Sequence, residues 1–240
     1  MSNLPLLNEM LEQVALALGP ELREQMTFVG GCTTGLLLTD EFTKEQVRHT
    51  DDVDLIVHTM GYTGFAALQD QLQQRGFSIQ MPPPGEDLPI CAMQLGALRV
   101  DFMPDDETVL GFGNRWYQAA MKTATPYELT PDLTIRLVTP VYFLATKLEA
   151  FKGRGNGDTL GSRDIEDILH LVDGRPELVA EVQMAPAEVR AYFAEELGAL
   201  LDDQYFEYAV SSQAGGNSER EEIIFKRLEQ LATAPSAGQG

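Results

Sequence analysis

The chain has 240 residues, 37 of them acidic against 17 basic, for a net charge of −20. That length supports one large domain or two small ones with a real core. The charge argues against a general nucleic-acid binder, since phosphate contacts come from lysine and arginine, and against docking on anionic membranes; a local basic groove stays open.

Two cysteines, Cys32 and Cys91, lie in apolar contexts and suggest neither a disulfide framework nor a zinc site. The start, MSNLPLLNEM, has no basic n-region, and no apolar run nears the roughly 18 residues of a membrane span. The expectation is a soluble, cytoplasmic protein in a reducing compartment, with no membrane partner.

In chain order, Leu4, Leu7, Leu11, Val14 and Leu18 recur at helical spacing until Gly19-Pro20 ends the pattern. Phe28-Val29 reads as a short strand running into Gly30-Gly31, and Cys32 to Leu38 as a helix opening from those glycines. Asp40 to Thr50 is polar and reads as an exposed connection. Val53 to Val57 is a β-branched apolar run, a buried strand entered by Asp51, Asp52 and Asp54. Phe65, Leu68 and Leu72 mark a helix that Gly76 closes. Phe77 to Gln80 reads as a strand and Pro82-Pro83-Pro84-Gly85 as a loop. Ile90 to Leu95 and Leu98 to Met103 form a hairpin around Gly96, with Asp101 on its second strand. Asn114 to Met121 is a short helix and Leu133 to Val138 a strand.

From Pro140 on, the pattern is helical throughout. Val141, Leu144, Leu148 and Phe151 form one stripe; Gly153 to Asp158 reads as a flexible loop, and Ser162 as the cap of a helix carrying Ile165, Ile168, Leu169 and Val172. Two or three helices follow over 176–210. Ser211 to Asn217 is a Ser/Gly-rich linker, and Ser218-x-x-Glu221 a capping box before a last helix with Ile224, Leu228 and Leu231. A disordered tail is expected from Ala234. The fold class expected is α+β, a small mixed or antiparallel sheet flanked by helices and then a helical domain. The boundaries are 1–139, 140–210 and a final 211–240 of linker, helix and tail.

The chemistry concentrates at the second strand. Residues two apart on a strand share a face, with Cα atoms roughly 6.6 Å apart. Asp52 and Asp54 therefore aim one way, Asp51 and Val53 the other. Two carboxylates held side by side repel unless a cation lies between them, and hard divalent ions want oxygen ligands. Gly30 and Gly31 let a backbone approach a phosphate closely, although glycine pairs also serve any tight turn.

The pattern of strand, Gly-Gly, helix and then Arg48-x-Thr50-x-Asp52-x-Asp54 resembles the nucleotidyltransferases of the DNA polymerase β superfamily, most closely the AbiEii/AbiGii-type toxins of toxin–antitoxin systems. The resemblance spans about Phe28 to Asp173. It implies that Asp52, Asp54 and Asp101 bind magnesium or manganese and catalyse, with Asp101 also taking the proton of the acceptor hydroxyl. It implies an NTP as substrate, transfer of its NMP with release of pyrophosphate, and an acceptor such as a tRNA 3′ end or a protein. A cognate antitoxin would be a partner.

The superfamily usually carries Gly-Ser where this chain has Gly31-Cys32; Thr33 or Thr34 is then the candidate hydroxyl, unless none is needed. Arg48 fits the motif as a holder of the site or the nucleotide, and equally fits an exposed loop charge. Lys147 and Lys152, followed by Arg154 and Arg163-Asp164-x-x-Asp167, resemble the toxins' later motifs. On that resemblance Lys147, as a catalytic residue, and Lys152 neutralise the triphosphate, while Asp164 and Asp167 position Lys147 or touch the nucleotide. Those two acids share a helix edge, and an acidic first turn also complements a helix dipole.

The loop from Gly153 lacks a Gly-Lys-Ser/Thr ending and is no P-loop. His49, His58 and His170 are scattered, and Trp116-Tyr117 and Tyr205-Phe206 read as core. Two rival readings stay open: an enzyme that modifies a small, antibiotic-type molecule, and a non-catalytic module that binds nucleotide or a partner.

Overall fold

The structure, a computed structural model, describes residues 2–79 and 90–233. Gln80, the loop expected at Pro82–Gly85 and the tail expected from Ala234 lie outside the described residues. The elements in chain order are α1 (Leu4–Gln25), β1 (Met26–Val29), a 3-10 turn (Gly31–Thr33), α2 (Thr34–Leu37), α3 (Glu41–Lys44), β2 (Asp52–Val57), α4 (Gly61–Gln74), β3 (Phe77–Ile79), β4 (Ala92–Leu95), β5 (Leu98–Pro104), α5 (Tyr117–Thr123), β6 (Thr125–Thr130), β7 (Leu133–Leu137), α6 (Pro140–Arg154), α7 (Arg163–Gly174), α8 (Leu178–Gln183), α9 (Ala187–Leu201), α10 (Phe206–Gln213) and α11 (Ser218–Leu231). The fold class is α+β, with a seven-stranded mixed sheet and flanking helices. Among the described residues no helix is long and apolar enough to cross a membrane.

The chain packs as two compact units. One joins the residues up to Gly35 with Val47–Thr139; the other joins Leu36–Gln46 with the residues from Pro140 on. Sequence reading placed 36–46 within the first domain, 1–139. Hydrogen bonds made by its backbone go with its membership in the second. The amides of Thr39 and Asp40 both donate to the Gly174 carbonyl (2.9 and 3.0 Å), and Arg175 Nη1 donates to Leu37 O (2.6 Å).

In the sheet unit the strand order is β3-β4-β5-β2-β1-β7-β6. β2 sits near the centre, antiparallel to β1 and parallel to β5. Covered on both edges, its Val53, Leu55, Ile56 and Val57 are all buried, the burial expected of an apolar β-branched run between two neighbours. α1 packs on β1, β2 and β7 through Leu7, Leu11, Val14 and Leu18, the 3–4 spacing read from sequence. Gly19 does break that helix, at φ +66°, but helical backbone resumes at Pro20 and Leu22 is buried again. α4 ends as expected at Gly76, which adopts φ +90°. The β4–β5 hairpin turns at Gly96.

Three local readings need correction. The helix expected over Cys32–Leu38 is a 3-10 turn followed by a single α-helical turn, because Thr33 and Thr34 spend their amides on Gly30 O and Gly31 O. Strand β6 had no periodicity to betray it. It lies on the sheet's edge with no buried residue, the position in a sheet where a proline such as Pro126 is tolerated. The exposed connection over Asp40–Thr50 contains α3, capped by Asp40, whose carboxylate accepts from the amide and hydroxyl of Thr43 (both 2.7 Å).

In the helical unit, Phe143, Leu144 and Leu148 of α6, Ile165, Ile168 and Val172 of α7, Phe193 and Leu197 of α9, and Ile224 and Leu228 of α11 form the core. α6 runs through Gly153 and Arg154, so the loop begins at Gly155. α10 likewise consumes Ser211–Gln213 of the expected linker. Ser162 caps α7 as read, accepting from Ile165 N, whereas α11 is capped one residue early by Asn217, which accepts from the amides of Glu219 and Arg220.

Candidate active site

The register of the parallel pair β2–β5 builds the site. Asp52 lies opposite Arg99, Val53 opposite Val100 and Asp54 opposite Asp101. Since strand side chains alternate, the two valines go to one face, where both are fully buried, and the three aspartates and Arg99 go to the other. Asp52, Asp54 and Asp101 each offer a carboxylate oxygen within 4.8 Å of the others, a set that can hold a metal ion. Asp51 turns outward to His49 (Nε2···Oδ1 2.8 Å).

Each carboxylate is held from outside the trio. Thr50, itself buried, donates its hydroxyl to Asp52 Oδ1 at 2.5 Å. Arg99 grips Asp101 with two parallel bonds, Nε to Oδ1 at 2.8 Å and Nη2 to Oδ2 at 2.6 Å. Asp54 lies against Gly30, where a Cβ would fall 1.8 Å from its Oδ2. Gly30 also adopts φ +81°, ψ −178°, a conformation open to glycine almost alone. Gly30 therefore makes room for a carboxylate. Across β4, Ala92 lies opposite Asp101, so only a methyl group flanks that side.

Position 32, next to the Gly-Gly pair, carries no exposed polar group. Cys32 is buried, with its thiol directed at Leu7 O (3.6 Å), and burial followed by the nearby Asp54 and Asp52 charges raises its pKa well above the usual thiol range. The Thr33 hydroxyl donates to Gly30 O at 2.8 Å and bolts the turn together. Gly31 is buried within the turn, and a one-turn helix has little dipole to offer an anion. Arg48 is half-buried, its Nη1 donating to His49 O at 3.2 Å.

The later motif residues form a cluster of their own inside the helical unit. Lys147 is buried, its Nζ 2.6 Å from Asp167 Oδ2 and 3.3 Å from Asp164 Oδ1. Arg154 makes a bidentate pair with Asp164 (2.9 and 2.8 Å). Burial raises the Asp164 pKa, but the Arg154 bonds and the Lys147 charge outweigh it and hold the carboxyl below its ordinary value. Lys152 does not join this cluster; it pairs with Glu196 on α9 and stays half-exposed. Two readings of aromatic pairs divide: Trp116 and Phe206 are core, while Tyr205 is 53% exposed.

Sequence reasoning missed Arg99. The signal lay in Arg99-x-Asp101, since an i, i+2 pair on a strand shares a face; Thr50-x-Asp52 carries the same signal. No protein-family model matches the chain, and no curated protein matches it.

Proposed function

We propose that the chain is a metal-dependent nucleotidyltransferase that moves an NMP from an NTP to an acceptor hydroxyl and releases pyrophosphate. The observation that carries this reading is the meeting of Asp52, Asp54 and Asp101 on one face of β2–β5, beside the Gly30 turn. The donor set is all oxygen and all carboxylate, which suits magnesium or manganese and not a soft metal. A divalent ion bound there supplies neutralisation of the triphosphate and eases formation of the attacking alkoxide.

The protein's own residues divide the remaining work. Asp52, fixed by Thr50, and Asp54, seated against Gly30, supply ligand oxygens from one strand. Asp101, on the neighbouring strand, offers a ligand oxygen and a base for the proton of the acceptor hydroxyl. Gly30, with no Cβ, leaves Asp54 its place in the carboxylate set, and any contact of the Gly30-Gly31 turn with the phosphates falls in this reading to its backbone. Lys147, Asp164 and Asp167 form a buried ion network that ties α6 to α7. In this reading they shape the helical unit, and Arg154, 71% exposed, is the cation of that network that solvent reaches.

The acceptor follows the resemblance and the charge. The AbiEii-type likeness favours a tRNA 3′ end, in a toxin neutralised by a cognate antitoxin; the net charge of −20 favours a cationic small molecule or a protein instead. The test is incubation of the purified protein with magnesium, each α-labelled NTP in turn and either total RNA or a cell extract. Label on RNA in the wild type and its absence with Asp52→Ala/Asp54→Ala support the first acceptor. Label on a protein or a small molecule supports the second. No label with any NTP or acceptor pool contradicts the reading.

A further inference from the structure

We propose that Arg99 is a positioning residue of the carboxylate site: a resident counter-ion that holds Asp101 in place and sets how tightly the site takes a divalent cation. The inference rests on the metal-site reading above and assigns a duty within it to a residue outside the motifs.

The argument starts from register. Arg99 occupies the fourth corner of a block whose other corners are Asp52, Asp54 and Asp101. Its guanidinium spans both oxygens of Asp101, the planar two-bond geometry that only arginine makes with a carboxylate. The carboxylate is buried and the guanidinium a little over a third exposed, so one end of the pair is fixed in the sheet while the other faces water. Asp52 and Asp54 also act on Arg99, adding to the Asp101 bond in favouring its charged form.

Two consequences follow, and they pull in opposite directions. The charge of Arg99 opposes a divalent ion arriving at the same carboxylates. Its two hydrogen bonds hold the Asp101 carboxylate in one orientation, leaving the outward lone pairs for a metal ion or a proton. Metal affinity is thus moderated while geometry is improved. Gln94, a neutral residue, lies opposite Arg99 on β4.

The test separates charge from grip by titrating Mn2+ alone into the full chain, read by calorimetry or by loss of the free-Mn2+ paramagnetic resonance signal. Arg99→Gln keeps the length and a hydrogen-bond donor but loses the charge; Arg99→Lys keeps the charge but not the two-bond grip. The expected result is Mn2+ binding tightened roughly tenfold by Arg99→Gln, since a positive charge beside the ion is gone, and changed less than about threefold by Arg99→Lys. Nucleotidyl transfer should fall with both variants, because both loosen Asp101. A merely structural role would weaken metal binding and transfer together.

Unchanged or weaker Mn2+ binding in a folded Arg99→Gln protein overturns the proposal. If Arg99→Gln fails to fold, Arg99→Lys decides: Mn2+ binding shifted more than about threefold in a charge-preserving variant overturns it equally. Asp54→Asn distinguishes this failure from that of the site itself. Mn2+ binding that Asp54→Asn does not weaken removes the metal centre, whereas binding that Asp54→Asn weakens and Arg99→Gln leaves alone removes only the role of Arg99.

Discussion

Replacing Gly30 by alanine is the sharpest perturbation of the site that leaves every charged group in the sequence. Two costs combine. At φ +81° and ψ −178° the backbone lies where non-glycine residues pay about 1–3 kcal/mol. The new methyl would also sit 1.8 Å from Asp54 Oδ2 and 2.6 Å from its Cγ, so the carboxylate must leave its rotamer, for about another 1 kcal/mol. The sum is about 2–4 kcal/mol, a fall in Tm of about 4–16 °C at this chain length. The displaced group is one of the three carboxylates that can hold a metal ion, so on the proposed function Mn2+ affinity should drop at least tenfold as well. Gly96→Ala is the control: its φ is +63°, but no atom lies within 4 Å of the added Cβ, so it pays backbone strain alone. Thermal melts of both variants, with and without Mn2+, check the reasoning. A Gly30→Ala protein that melts no lower than Gly96→Ala and keeps wild-type Mn2+ affinity refutes it.

The other predictions concern the buried charges and thiols. Lys147→Met leaves Asp167, fully buried, without its 2.6 Å partner and should cost about 3–5 kcal/mol in urea denaturation. Asp164 has its folded pKa held below the ordinary 3.8, so its contribution to stability is fully present above the unfolded value and is lost as pH falls through the folded one. Acid unfolding of the wild type should therefore show a steeper loss below about pH 4 than unfolding of Asp164→Asn; identical acid limbs would contradict the assignment. Cys32 and Cys91 are both buried, and burial first, then the Asp101 charge, pushes the Cys91 thiol up to about 12. Native protein at pH 8 should label with thiol reagents far more slowly than urea-unfolded protein, and equal rates would place at least one thiol at the surface.

Much of the sheet was legible because its central strand announces itself. Val53 to Val57 is too apolar for an edge, and Asp52 and Asp54 two apart had to share a face. Asp101 was legible as a residue of the hairpin around Gly96, but its joining Asp52 and Asp54 was only what the resemblance implied. The structure adds the register that no local pattern carries: Arg99 meets Asp52 only because β2 and β5 pair in parallel without a slip. β6 stayed hidden because an exposed edge strand needs no apolar alternation. The Gly-Gly turn misled in another way. Cys32, Leu36, Leu37 and Leu38 suit a helix in composition, yet the chain leaves after one turn, and the amides of Thr39 and Asp40 bond to the end of α7. The lysine and aspartates of the second motif were visible as charges at helical spacing. That the two acids position Lys147 was one of two alternatives the resemblance offered; that the network is buried was not legible, since spacing shows a shared edge and not what packs over it.

The central claim is that this site transfers the nucleoside monophosphate and not another part of the nucleotide. Paired reactions with α-labelled and γ-labelled NTP, each with magnesium and the acceptor pool, test it most directly. The account predicts that α-label becomes covalently attached to the acceptor while γ-label appears only as pyrophosphate, and that Asp101→Asn abolishes both. Transfer of γ-label to the acceptor, or release of inorganic phosphate with no attached α-label, would contradict it.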